Sequence, residues 1–156
     1  MAQQEVPTEH NRQHLAEQFR HLLPDSVQEL ADFFGLENAL HIVTCFSGTS
    51  LRIPKKTQGS AADELFKKLD NQDLAEKLIN TFGDNSIYFS KCDKFFRAIR
   101  DTEIHKAAEI GLSEGKTMRS VVDSLSRRYD LCDRVIWKIM KSPPHQKIKA
   151  NQYEKH

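Results

Sequence analysis

Residues 118–141, MRSVVDSLSRRYDLCDRVIWKIMK, leave few structures open to the carboxyl-terminal part of this chain. Val122, Leu125 and Tyr129 fall at i, i+3 and i+7, one face of a helix. Leu131, Ile136 and Ile139 supply the apolar stripe of a second helix. Ser126 is small and sits where two steeply crossing helices leave no room for bulk. Asp130 falls at the turn, a position that demands a left-handed backbone; Asp and Asn tolerate it best after glycine. Asp133, Arg134, Lys138 and Lys141 then point outward from the second helix, as on a recognition helix in a major groove. Any small helical hairpin shows an apolar stripe. The small residue, the turn residue and the stripe together predict a helix-turn-helix.

The chain has 156 residues and a net charge of +1, enough for one or two small domains. With 38% hydrophobic and 29% charged residues it reads as a soluble globular protein. No apolar run approaches the roughly 18 residues of a membrane span. The stretch MAQQEVPTEHNRQ lacks the apolar region of a secretory signal. Cys45, Cys92 and Cys132 are far apart, odd in number and form no CxxC pair, which suits free, mostly packed thiols in a reducing cytosol. The near-neutral total hides an asymmetry. Residues 91–156 carry 15 Lys and Arg against 9 Asp and Glu, so +6, and the remaining 8 and 13 give residues 1–90 a charge of −5. A basic half around a helix-turn-helix is an electrostatic footprint for phosphate, and the acidic half suits protein contacts.

Upstream, residues 9–23 read as a helix with Leu15, Phe19, Leu22 and Leu23 on one side, stopped by Pro24. Asp25 or Ser26 is expected to cap the next helix, with Val27, Leu30, Phe33 and Phe34 inward and Gly35 as its break. A third helix over 37–46 precedes a short strand in which Leu51 and Ile53 alternate with Ser50 and Arg52. The pattern then recurs: helices over 61–69 and 71–82, then FGDNSIYFSK, 36 residues after FSGTSLRIPK. Phe46 matches Phe82, Ser50 matches Ser86, Leu51 matches Ile87 and Ile53 matches Phe89, a weak internal duplication. Two such short strands are not stable alone, so they pair with each other or with a second chain, and the free edge motivates a dimer. A longer helix over 93–110 is expected to turn Phe96, Ile99 and Ala107 inward and to end at Gly111. Thr117 caps the helix that follows, and Pro143 and Pro144 close the last one.

GTSLRIPKK, FGDNSIYFSK followed by RAIRDTEI, and SRRYDLCDRVIWKIMK together resemble the Mor transcription activators, the middle-operon regulators of phage Mu, a bacteriophage, and related mobile elements. The resemblance covers residues 25–141. The family shows glycine pairs before each strand, where this chain has Ser47-Gly48 and Gly83-Asp84; Ser90 stands at the usual proline and Asp130 at the usual turn glycine. The resemblance implies a sequence-specific activator that binds double-stranded DNA as a homodimer on an inverted repeat and contacts RNA polymerase. It implies that the strands join the dimer across its axis and approach DNA. Ser86 and Tyr88 would then touch DNA, on the strand face opposite Ile87 and Phe89.

The expected fold is mainly α. Residues 1–24 form an N-terminal helical extension. Residues 25–91 form a dimerisation region with two helix-turn-strand units. Residues 92–142 form a helix-turn-helix DNA-binding domain, and 143–156 a disordered basic tail. Asp133, Arg134 and Lys138 are the candidates for base edges, and Arg119, Arg127, Arg128 and Lys141 for phosphate. Trp137 is expected to pack at the domain edge, and Cys132 opens the recognition helix. His10, His14 and His21 lack cysteine or acidic partners at a recognisable spacing, so no metal and no cofactor is expected. No nucleotide or hydrolase motif anchors an enzymatic reading. The expected location is the cytoplasm of a bacterial host, on the nucleoid when bound to DNA, with no membrane contact. A second reading stays open: a protein-interaction subunit of a hetero-oligomeric regulator, without DNA specificity of its own.

Overall fold

Pro24 and Gly35 punctuate the first helical pair. The structure, a computed structural model, describes residues 9–144, without the side chains of residues 9 and 10. The His10 side chain and most of the basic tail lie outside the described residues. Among these, eight α-helices and two strands form two compact units.

The first unit is Arg20–Asp93. It holds α2 (Asp25–Phe34), α3 (Leu36–Phe46), β1 (Thr49–Arg52), α4 (Ser60–Leu69), α5 (Gln72–Phe82) and β2 (Ser86–Phe89). Proline precedes α2 at its N-cap, so neither Asp25 nor Ser26 caps by side chain; Asp25 starts the helix, where a carboxylate meets the positive dipole end. Gly35, at φ 87°, ends α2 and opens α3. Asn71 caps α5, accepting a hydrogen bond from the Leu74 N–H at 3.1 Å. Val27, Leu30, Ala39, Ile42, Val43, Leu65, Leu69, Leu78 and Ile79 fill the core. Phe33 departs from the expected stripe: it is 57% exposed, its ring edge-on to Phe82 at 5.5 Å.

The strands pair antiparallel with each other within one chain, Leu51 opposite Ile87. The inner faces follow the expected alternation. Ile53 and Phe89 are buried; Ser50, Arg52, Ser86 and Tyr88 face solvent.

The second unit gathers the described parts of Met1–Phe19 and Lys94–His156. The first helix falls in this unit. α1 (Glu9–Gln18) stops before Pro24, and Arg20–Leu22 is a short 3-10 turn that leaves Leu22 half-buried. α6 (Asp93–Ser113) runs three residues past its expected end. Phe95, Ala98, Ile104 and Ala108 are its buried face, while Phe96 is exposed. Gly111 sits inside the helix, where a Cβ would lie 3.0 Å from Val121 Cγ2 on α7 (Met118–Tyr129). Gly111 thus admits a neighbouring helix, and Gly115, at φ 85°, takes the left-handed position after α6. α8 (Asp133–Lys141) completes the unit. No described helix is long and apolar enough to cross a membrane.

Candidate nucleic-acid interface

α7 and α8 owe their arrangement to short-range chemistry. The Thr117 hydroxyl caps α7 by accepting the Ser120 N–H at 3.2 Å. Asp130 ends α7 in the left-handed region, φ 52° and ψ 46°, with its N–H donating to the Ser126 carbonyl. The Ser126 hydroxyl donates to the Leu131 carbonyl, and the Leu131 N–H returns to the Ser126 carbonyl at 3.1 Å. Ser126 is therefore more than small: it ties the turn to the helix it leaves. Cys132 is the α8 N-cap and its thiol makes no capping bond. It is exposed, as is Cys45; of the three thiols Cys92 alone is packed. Ser142, extended ahead of Pro143, ends α8.

Beneath the turn, Ile104, Ala108, Val121, Val122, Leu125, Ile136 and Ile139 make one apolar cluster, with Tyr129, Leu131, Val135 and Met140 at its margin. With Ile136 and Ile139 inward, the opposite side of α8 carries Arg134, Trp137, Lys138 and Lys141, at i, i+3, i+4 and i+7. All four are exposed. Trp137, 37% exposed, departs from the expected packed position, and Lys141 Nζ lies 5.7 Å from its ring centroid. The inward spacing of the two isoleucines was the signal that places Trp137 outside. Asp133 lies in the first turn of α8 and is exposed. Arg119 opens α7, and Arg127 and Arg128 close it, all exposed. Arg127 pairs with Asp123 one turn back at 3.3 Å, and Arg128 lies over the Tyr129 ring. Ser86 and Tyr88 belong to the other unit. There they share the outward ribbon face with Ser50 and Arg52, and Tyr88 is 59% exposed.

One buried charge supports the helical pair and was invisible in sequence. Glu103 on α6 is 7% exposed. Arg12 on α1 donates to one carboxylate oxygen at 3.1 Å and the Tyr129 hydroxyl donates to the other at 3.2 Å. The three residues are far apart in the chain, so no spacing rule joins them. Burial, then the negative Glu103 beside it, pushes the Tyr129 phenol up to about 12. The neutral phenol is thus the form the fold favours. Its contribution is complete below the unfolded value of about 10 and is lost as pH rises towards 12. Tyr129→Phe is expected to lower stability at neutral pH by about 1–2 kcal/mol, because Glu103 loses a buried donor. The gap between parent and variant should close between pH 10 and 12. Urea melts across that range check it, and a gap independent of pH would contradict the assignment.

A family model described as the Mor transcription activator family matches residues 62–154. Comparisons with curated proteins and with solved structures return no match. The matched stretch takes in α5, the second strand, α6 and the α7–α8 pair with its basic outer face. The chain belongs to the Mor transcription activator family.

Proposed function

We propose that the protein is a sequence-specific, duplex-DNA-binding transcription activator whose α7–turn–α8 segment is a helix-turn-helix. In this reading α8 lies in the major groove. Arg134 spans guanine O6 and N7, Lys138 and Asp133 reach neighbouring base edges, and Trp137 offers apolar contact to a thymine methyl. Arg119, Arg127, Arg128 and Lys141 hold phosphates and set the register. Ser86 and Tyr88 on the ribbon add a second approach to the duplex. As an activator it engages RNA polymerase, and it works on DNA in the cytoplasm of a bacterial host. The observation that carries the reading is the division of α8: isoleucines inward, and a tryptophan and three cations along its solvent face.

The test is selection of bound duplexes from a random pool, then fluorescence anisotropy on selected and scrambled duplexes. The selected duplex is expected to bind roughly 10³-fold tighter or more. Affinity for both falls steeply with salt, because cations release counterions from the phosphates. Equal affinity at moderate salt would overturn the reading and favour a protein-binding role for the helical pair.

A further inference from the structure

The unit Arg20–Asp93 is one motif folded twice. α3, displaced by 36 residues, coincides with α5 end to end. α2 precedes α4 by 35, because Gly35 alone separates α2 from α3 whereas Asp70 and Asn71 separate α4 from α5. Buried positions correspond: Leu30 with Leu65, Ala39 with Ala75, Ile42 with Leu78, Ile53 with Phe89. The turns correspond too. Gly48 and Asp84 are counterparts, both left-handed at φ 71° and 68°. Each donates its N–H to the other copy, Gly48 to the Phe89 carbonyl at 2.7 Å and Asp84 to the Ile53 carbonyl at 3.0 Å.

The register relates the copies by a twofold. Leu51 lies opposite Ile87, its own counterpart. The flanking pairs are therefore exchanged: Ser50 faces Tyr88 and Arg52 faces Ser86. Two identical chains make this isologous pattern across a dimer axis. Side-chain contacts cross between the copies. The Phe46 ring lies 5.7 Å from Phe89, the Phe82 ring 5.5 Å from Phe33, and His41 Nε2 donates to the Leu69 carbonyl at 2.6 Å. The family match, over residues 62–154, begins inside the second copy; the first lies upstream of it.

We propose that this unit is a dimer built within one chain. Residues 25–53 take the place against β2 that a second chain would take. The protein therefore stays a single chain in solution and brings one α7–α8 reader to a single half-site without dyad symmetry. The half-site part rests on the DNA-binding reading above; the single-chain part does not. It replaces the homodimer expected from two short strands with a free edge, because each strand has found its partner in its own chain.

Three measurements on the full chain test it. Light scattering across low to high micromolar concentration should return the mass of one chain throughout. A two-chain mass overturns the proposal whatever the protein does with DNA. A Ser50→Cys, Tyr88→Cys variant, with Cys45 and Cys132 replaced by serine, should oxidise to a cross-link within one chain on a non-reducing gel. A two-chain band would mean that the strands pair between molecules, and overturns it. With a random-sequence duplex pool as probe, the recovered sites should hold one half-site bound by one chain. Recovered inverted repeats bound by two chains overturn the half-site part. A one-chain mass with no selective recovery upholds the built-in dimer and overturns the DNA-binding reading instead.

Discussion

An Arg134→Ala variant is expected to keep its fold and lose most of its preference for the selected duplex. Arg134 is exposed in the first turn of α8 and makes no ion pair that the apolar cluster depends on. Its removal costs the fold little. A bidentate arginine–guanine contact contributes about 1–3 kcal/mol of discrimination, so affinity for the selected duplex should fall roughly 5- to 150-fold while scrambled duplex changes far less. Anisotropy on both duplexes, beside a thermal melt, checks it. A variant that discriminates as well as its parent would show that α8 is not the reading element. Lys141→Ala is the natural comparison, since a phosphate contact weakens both duplexes alike and lowers the salt slope.

Ile136→Ala is expected to lose DNA binding by the opposite route. Ile136 is fully buried beneath the α7–α8 turn, among Val122, Leu125 and Ile139. Removing three carbons there leaves a cavity and should cost about 2–5 kcal/mol. That is a large share of the roughly 5–15 kcal/mol that holds a typical domain. The melting transition should move down by roughly 8 °C or more. Binding to selected and scrambled duplexes should then fall together with helicity, the reverse of the Arg134 pattern. Ile136→Val, which keeps most of the volume, should cost about 0.5–1.5 kcal/mol and retain binding. An alanine variant that melts like the parent would mean that the apolar cluster does not hold the helical pair.

Much of the candidate interface was legible in residue types. Asp130 was recognisable because few side chains tolerate a left-handed backbone, and it adopts one. Thr117 was recognisable because its hydroxyl can take the place of a missing helical acceptor, and it caps α7. Other positions misled for equally local reasons. Phe95 and Phe96 are adjacent and equally apolar, so periodicity alone did not decide which one α6 turns inward. Gly111 looked like a helix end because glycine commonly ends helices; it lies within α6, where a Cβ would crowd Val121 at 3.0 Å.

Helix periods, the strand alternation and the 36-residue repeat are properties of neighbouring residues, so the order of elements and the outward cations of α8 were determined by the amino-acid sequence. Tertiary structure alone decided two things. It set Glu103 between Arg12 and Tyr129 and joined β1 to β2 within one molecule. Each of these is a choice among partners far apart along the chain. Local pattern states that a strand needs a mate or a buried carboxylate a donor. Only packing in three dimensions selects which one is close enough to serve.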